Sequence, residues 1–149
     1  MSDSKALQYR QDQLKFQTNG PGFLDITHDV QNWLDRQSAD QGLLTLFIQH
    51  TSASLTIQEN ADPDVLRDLV DSLDGLAPQS SHYRHNSEGA DDMPAHIKTM
   101  LTSSSLNVPV SNGAMMLGTW QGLYLIEHRT NRKYRTLVLH FSGVIKKRG

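Results

Sequence analysis

Apolar and polar residues follow two different periods along this chain, and these periods separate the expected helices from the expected strands. Apolar residues three and four positions apart predict amphipathic helices, whereas strict alternation predicts half-buried strands. Helical spacing occurs in three stretches, which are Thr27 to Gln37, Pro63 to Leu73 and Met93 to Ser103. A side chain suited to capping stands at the start of each stretch, and these residues are Thr27, Asp62 and Asp92. We therefore expect three short amphipathic helices.

Other segments have strand-like patterns, either alternating or continuously apolar, and they outnumber the helices. They are Ala6 to Thr18, a short segment around Phe23, Leu24 and Ile26, Gly42 to His50, Leu106 to Val110, Met115 to Leu117, Leu123 to His128 and Tyr134 to Ile145. Thr51 to Ile57 either continues or follows the strand before it. Gly42 to His50 is apolar on both faces, which is typical of a strand covered on both sides. Because several strands follow interleaved helices, the order favours an α+β fold over a doubly wound parallel sheet.

Composition limits the classes of protein to which the chain can belong. The 149 residues are 37% hydrophobic and 20% charged, with a net charge of −2, and residues 1–149 fit one globular domain. The low charge argues against a nucleic-acid binder. No apolar run reaches the ~20 residues of a membrane span, and the N-terminus lacks the apolar core of a secretion signal. With seven histidines and no cysteine, any transition metal would be held by imidazole or carboxylate groups.

Histidines and carboxylates are concentrated in the polar segment from Gly75 to Asp92 and in the helix that follows it. The pattern is His82-x-x-His85-x-x-Glu88, then Asp91-Asp92 and His96. Imidazole and carboxylate groups bind zinc and similar ions, although a solvated polar loop has the same composition. His96 lies in the first turn of a helix, close to Lys98, where free N–H groups favour an anion such as a ligand phosphate. The metal and the anion interpretations both stay open.

A second polar group surrounds His50 at the end of an expected strand. His50, Ser52 and Ser54 share one face of that strand. A serine nucleophile needs a base within hydrogen-bond reach, but residues two apart in a strand stand side by side. No glycine-rich nucleophile elbow surrounds either serine. We therefore expect hydroxyls that line a polar pocket or bond a sheet edge rather than a catalytic serine.

The remaining histidines favour structural roles when they are taken from the residues alone. His128 ends an apolar strand, and Glu127 points to the opposite face, so we expect Glu127 to pair with Arg129 instead of orienting His128. His28 starts a helix, and His140 lies opposite the apolar face of the last strand. We interpret both as structural.

Longer motifs in the chain resemble the YjbQ family. The matching segments are His50-Thr51-Ser52-Ala53-Ser54-Leu55-Thr56-Ile57-Gln58-Glu59-Asn60, Asp62-Pro63, Glu88-Gly89-Ala90-Asp91-Asp92-Met93-Pro94-Ala95-His96-Ile97-Lys98, Gly118-Thr119-Trp120-Gln121-Gly122 and Glu127-His128-Arg129. The spacing from Ser105 through Val108, Val110 and Gly113 to Gly118 also matches the family's signature. The resemblance extends over about Leu14 to Gly143, and the order of several long motifs argues against a chance match.

The resemblance implies a YjbQ-like α+β fold with two packed β-sheets in a sandwich-like core and about three helices. It also implies a cytoplasmic homotrimer with its sheets around a threefold axis. The activity it implies is that of a secondary thiamine-phosphate synthase, which joins a pyrimidine diphosphate to a thiazole phosphate and releases pyrophosphate. Such an activity can be a side reaction, so the expected partner is defined only as a small phosphorylated molecule.

The resemblance also selects site residues. It implies a divalent metal, with zinc as the first expectation, held by His85, His96 and His128. His50 is the expected fourth ligand or pocket acid/base. The expected catalytic carboxylates are Glu88 and Asp91, and the expected substrate contacts are Thr51, Ser52, Lys98, Gln121 and Arg129. His82 lies outside the family pattern, so we expect it to be structural.

Two other functions are compatible with the same residues. One is a metal-binding or ligand-binding module without turnover. The other is a hydrolase that uses a metal-activated water on a phosphate ester. Rescue of a thiamine auxotroph, with its loss in His96→Ala and His128→Ala, separates the synthase from the binding module. A substrate screen with and without a chelator identifies the hydrolase.

Overall fold

The computed structural model describes residues 6–79 and 82–147. These residues form three helices and eight strands, and the strands make two antiparallel sheets. The strands are β1 (Gln8–Asn19), β2 (Gly22–Asp25), β3 (Ala39–Ile48), β4 (Ala53–Glu59), β5 (Ser105–Ser111), β6 (Ala114–Met115), β7 (Gln121–Glu127) and β8 (Arg132–Ile145). The helices are α1 (Thr27–Arg36), α2 (Pro63–Leu76) and α3 (Asp92–Leu101). The expected α+β class, with three helices and two packed sheets, is therefore confirmed.

The two sheets face each other across one hydrophobic core. The larger sheet has the strand order β1-β8-β3-β5-β6, and the smaller sheet has the order β2-β7-β4. Side chains from both inner faces and from α1 fill the space between them, and Trp33, Leu44, Leu125 and Phe141 are fully buried there. Burial of each such side chain contributes about 1.5–3 kcal/mol to the stability of the fold. The interface between the sheets is therefore the main source of that stability.

The smaller sheet carries two helices on its other side. α2 contacts β2 and α3 contacts β4. The middle strand β7 is buried from Gly122 to Glu127, and Leu123 and Leu125 on one of its faces belong to the core. Ala53 pairs with Glu127 across the sheet, so segments 50–52 and 128–130 leave the sheet at the same end. Along residues 6–79 and 82–147, no helix combines the length and apolar character needed to cross a membrane.

The strand β3 is covered on one face only in the single chain. Its side chains alternate, with Leu44, Leu46 and Ile48 buried and with Leu43 and Phe47 at 43% and 46% exposure. The expectation that this strand is covered on both sides is therefore wrong for one chain. The strand with both faces covered is β7, and the outer face of the larger sheet carries the exposed apolar side chains of β3.

The three expected helix caps have three different outcomes. The Asp62 carboxylate accepts a hydrogen bond from the Asp64 N–H at 2.9 Å, as expected for an N-cap. Thr27 is inside α1, and its hydroxyl accepts the Leu123 N–H instead of capping the helix. Asp92 is also inside its helix and makes no capping bond. Both corrections have the same cause, because each side chain is engaged by a tertiary partner.

Candidate metal centre

Three potential ligand atoms converge where the loop after α2 meets the first turns of α3. Asp92 and His96 are four residues apart on α3 and therefore share one helix face. The Asp92 Oδ2 atom lies 2.6 Å from His85 Nε2 and 3.1 Å from His96 Nε2. The three ligand atoms lie within 4.8 Å of one another. We call His85, Asp92 and His96 the metal cluster.

The hydrogen bonds of His96 determine which of its nitrogens carries a proton. His96 Nδ1 lies 2.9 Å from the Thr51 carbonyl oxygen, which can only accept. Nδ1 must therefore carry the hydrogen, and in neutral imidazole this leaves a lone pair on Nε2. That lone pair faces the Asp92 carboxylate, so the contact is favourable only if His96 is protonated or a cation lies between the two groups. A histidine that donates one ring N–H to a backbone carbonyl and presents the other nitrogen is typical of metal ligation.

Arg129 holds the opposite side of the Asp92 carboxylate. Its guanidinium donates to Asp92 Oδ1 at 2.6 Å, to Asp91 Oδ2 at 2.8 Å and to the Glu88 carbonyl oxygen at 2.9 Å. Asp92 is 2% exposed. Burial alone would raise the pKa of Asp92, but hydrogen bonding with His85 and the charge of Arg129 lower it. Arg129 therefore fixes an ionised Asp92 with Oδ2 turned to the histidines.

Asp91 is also held in its charged form. Burial opposes ionisation, but hydrogen bonds from Arg129 and from the Thr130 N–H lower the pKa of Asp91 to about 2. The expected catalytic carboxylates thus differ in environment. The Glu88 side chain is 65% exposed, with an oxygen 3.6 Å from His85 Nε2. Asp91 anchors Arg129, whereas Glu88 remains at the rim of the metal cluster.

The local charge favours a cation over an anion. Glu88, Asp91 and Asp92 provide three carboxylates around Arg129, the cation that binds two of them. Lys98, the other expected phosphate contact, has its Nζ 2.5 Å from Asp74 Oδ1. Because both expected anion contacts are already paired with carboxylates, the geometry is better suited to a divalent cation than to a free phosphate.

His128 lies in a separate buried network rather than in the metal cluster. Its Nε2 is 2.8 Å from Ser54 Oγ, and the hydroxyls of Ser54 and Thr102 are 2.6 Å apart. Thr102 also donates to the Lys98 carbonyl oxygen at 2.8 Å. Burial, together with the charge of Lys98, lowers the pKa of His128 to about 4, so the imidazole is neutral at pH 7. The structure therefore brings two of the three expected ligands together and adds Asp92 to them.

Glu127 also has a different partner from the one expected. It forms an ion pair with Arg135, whose Nε donates to Glu127 Oε1 at 2.7 Å. Its only link to Arg129 among the described contacts is through that residue's backbone N–H, 3.0 Å from Oε2. The expected pairing with the Arg129 side chain is wrong because alternation turns Glu127 toward the core side, where β8 supplies Arg135. Burial would raise the pKa of Glu127, but hydrogen bonds from Arg135 and Thr18 lower it.

His50 lies beside an open groove that adjoins the metal cluster. Its Nε2 accepts the Thr136 N–H at 2.8 Å, which leaves Nδ1 as the protonated nitrogen of the neutral ring. Burial and then the charge of Arg135 lower the pKa of His50. The groove has a volume of about 660 Å³ and is lined by Phe47, Ile48, Gln49, His50, Thr51, Ser52 and Ser104. Thr51 connects the groove with the metal cluster, because it lines the groove and its carbonyl oxygen contacts His96.

The expected substrate contacts do not all lie at this groove. Thr51 and Ser52 line it, and Arg129 supports Asp92. Gln121 lies at the other end of β7, roughly 20 Å along the strand from Glu127. There its Oε1 accepts the Gly118 N–H at 2.8 Å. The described contacts within one chain do not link Gln121 to Thr51 or Ser52, so a shared role for these three residues stays a prediction.

Asp92 and Arg135 were not among the expected site residues. Asp92 stands in the histidine and carboxylate pattern but was not chosen as a ligand, although its spacing of four from His96 on a predicted helix could have indicated a shared ligand face. Arg135 had no signal in the sequence, because its importance comes from the pairing of β8 with distant strands.

Comparisons with known proteins agree with the motifs and with the fold. A family model described as "UPF0047 protein YjbQ-like" matches residues 12–144. A UPF0047 protein from Synechocystis sp. is 45% identical over 145 residues, which is 95% of this chain and 99% of that protein. UPF0047 protein YjbQ from Escherichia coli O157:H7 is 43% identical over 123 residues, which is 82% of this chain and 89% of that protein.

Solved structures show the same fold. An uncharacterised conserved protein of the YjbQ/UPF0047 family from Clostridium acetobutylicum superimposes with a TM-score of 0.78 at 38% identity, covering 89% of this chain and 98% of that one. A YbjQ-like protein of unknown function from Sulfolobus solfataricus P2 gives a TM-score of 0.86 at 21% identity, covering 93% and 99%, and this likeness concerns the fold alone. The family match spans most of the chain, and the chain therefore belongs to the YjbQ/UPF0047 family.

Proposed function

We propose that this protein is an enzyme that binds a divalent metal ion, with zinc as the first candidate, at His85, Asp92 and His96. The observation that carries the proposal is the orientation of His96. Its Nδ1–H is bound by the Thr51 carbonyl while Nε2 faces the Asp92 carboxylate at 3.1 Å. Two nitrogens and one carboxylate oxygen are a ligand set found in catalytic zinc sites, which keep a further position for water or substrate.

The proposed substrate is a small phosphorylated molecule. A bound divalent ion would supply positive charge for a departing phosphate or pyrophosphate. The protein's own groups would hold the substrate beside it, since His50 has Nδ1–H available as a donor and shares its groove with Thr51 and Ser52. Glu88 is the proposed acid/base at the rim because its carboxylate is largely exposed.

The specific reaction that we propose is the secondary thiamine-phosphate synthase reaction, as the family resemblance implies. It joins a pyrimidine diphosphate to a thiazole phosphate and releases pyrophosphate. The charge on the leaving group requires stabilisation of the kind that a metal cluster next to a polar groove would give. His128 enters this proposal as a buried residue behind the groove rather than as a third imidazole ligand.

Metal binding is the first test. Purified protein is stripped with a chelator, and zinc affinity is measured by competition with a chromogenic chelator. We expect one ion per chain and a loss of affinity of at least about tenfold in His96→Ala and in Asp92→Asn. His82→Ala is the matched control, because His82 lies in the same segment but outside the metal cluster, and its affinity should equal that of the wild type.

Turnover is the second test, and it separates the alternative functions. The gene is expressed in a thiamine auxotroph that lacks thiamine-phosphate synthase. Growth that is lost in His96→Ala supports the proposed synthase. Metal binding without rescue supports a binding module. Chelator-sensitive release of phosphate from simple esters supports a hydrolase. Rescue that survives both His96→Ala and Asp92→Asn would contradict the proposed site.

We also propose that the chain assembles as a homotrimer, as the family resemblance implies. Support comes from the outer face of the larger sheet, where Leu43 and Phe47 are exposed in the single chain. Such side chains on an open sheet face are favourable sites of burial between subunits. Light scattering after gel filtration should give three times the chain mass for the wild type and a smaller assembly for Phe47→Glu.

A further inference from the structure

A buried ion pair lies behind the metal cluster and is not part of the proposed ligand set. Glu127 from β7 and Arg135 from β8 are 2% and 4% exposed. The Thr18 hydroxyl donates to the same Glu127 carboxylate. A buried pair of this kind is weak evidence for stability alone, because the cost of desolvating two charges offsets most of their attraction. Its contacts therefore need another explanation.

The remaining hydrogen bonds of this pair go to two segments of backbone. Glu127 Oε2 accepts the N–H groups of His128 and Arg129, each at 3.0 Å. Arg135 Nη2 donates to the carbonyl oxygen of Ser52 at 3.1 Å and to its hydroxyl at 3.0 Å. One ion pair thus fixes the end of β7 and the segment just before β4.

These two segments carry the groups that orient the metal cluster. Thr51, next to Ser52, provides the carbonyl oxygen that binds His96 Nδ1. Arg129 provides the guanidinium that binds Asp92 Oδ1. A ligand is oriented by the partner on its far side, and loss of such a partner typically lowers metal affinity 10–100-fold. The ion pair therefore holds the two backbone segments that carry these orienting groups.

We propose that Glu127 and Arg135 are positioning residues for the metal centre. They set its affinity for the metal by holding the Thr51 carbonyl against His96 and the Arg129 guanidinium against Asp92. This inference rests on the proposed function. The fork of Arg135 is essential to it, because one guanidinium spans the Glu127 carboxylate and Ser52. A lysine at this position would keep the charge but would provide a single-point donor in place of the planar fork.

The test uses Co²⁺ as a spectroscopic probe in the full-length chain. Arg135→Lys is compared with the wild type by titration, at a temperature where circular dichroism shows both to be folded. We expect the dissociation constant to rise about 10-fold or more and the visible absorption bands of bound Co²⁺ to shift. Arg67→Lys is the matched control, since Arg67 pairs with Asp64 on the surface, and it should bind as the wild type does.

A double variant covers the case in which Arg135→Lys does not fold. Glu127→Leu with Arg135→Met replaces the pair by apolar side chains of similar size, a change that often preserves stability. We expect this protein to fold and to bind Co²⁺ at least about 10-fold more weakly.

The outcomes separate this inference from the proposed function. If the wild type binds Co²⁺ and a folded variant binds it with the same affinity and spectrum, the positioning role is overturned and the metal site stands. If the wild type does not bind Co²⁺, both proposals fail.

Discussion

Two polar clusters in this fold differ in how their hydrogen bonds are completed. The metal cluster of His85, Asp92 and His96 is partly open, with the two imidazole side chains 42% and 32% exposed. Its Asp92–His96 contact needs a proton or a cation. A second group, which we call the interior network, consists of Thr18, Ser54, Thr102, Glu127, His128 and Arg135. In residues 6–79 and 82–147, no buried side-chain nitrogen or oxygen lacks a hydrogen-bond partner.

The difference separates a functional surface from the scaffold that holds it. The interior network meets its own hydrogen-bonding needs, so removing one of its groups should first reduce stability. Glu127 and Arg135 are the two members that we also expect to affect metal affinity, because they hold the segments that carry the Thr51 carbonyl and the Arg129 guanidinium. The metal cluster presents ligand atoms outward, so changes there should first reduce binding. Removing a buried, fully hydrogen-bonded polar group lowers the free energy of unfolding strongly, whereas changing an exposed group lowers it little. The following experiments test this division.

The largest effect is expected when the buried ion pair loses one partner. Arg135→Met leaves Glu127 charged and unpaired in the core, which should lower the free energy of unfolding by about 3–5 kcal/mol. Arg67→Met breaks an exposed pair with Asp64 and should cost no more than about 1 kcal/mol. Urea denaturation at pH 7 measures both. Equal losses in the two variants would contradict the division between interior and surface.

The pH dependence of stability should report on His128. Its pKa is lowered from 6.5 to about 4 in the folded chain, so between these values the unfolded state binds more protons. Stability is therefore fully present above pH 6.5 and falls as the pH drops toward 4, by about 3 kcal/mol in total. The lowered pKa of His50 adds a loss of the same sign.

The variant His128→Asn isolates this contribution. Asparagine does not titrate in this range, so the loss of stability between pH 6.5 and pH 4 should be smaller than in the wild type. Denaturation curves at several pH values within that window give the comparison. An unchanged pH dependence would mean that His128 is not buried in neutral form.

Much of the fold could be predicted from the sequence because the hydrophobic periods are clear. The alternation of Leu137, Leu139 and Phe141 places β8, and Asp62 before Pro63 places the start of α2. The site could be predicted only in part. The family resemblance implies His85 and His96 as ligands, whereas the pairing of Glu127 with Arg135 depends on strand register, which local spacing does not determine.

Metal binding should stabilise the folded chain by mass action. At a free zinc concentration 100 times the dissociation constant, the free energy of unfolding should rise by about 2.7 kcal/mol. The same concentration should have little effect on His85→Ala, which lacks one ligand, and a chelator should reverse the gain in the wild type. Thermal unfolding with and without zinc measures the shift. Equal stabilisation of His85→Ala would place the bound zinc elsewhere.

The smallest effect concerns a single hydroxyl in the interior network. Thr102→Val removes the group that links Ser54 to the Lys98 carbonyl oxygen, and the lost hydrogen bonding should cost about 1 kcal/mol. Zinc affinity should not change, because Thr102 contacts none of the three ligands among the described hydrogen bonds. Thr102→Ser keeps the hydroxyl and should retain most of the stability. If Thr102→Val instead weakened zinc binding while leaving stability intact, Thr102 would belong to the binding site and not to the scaffold.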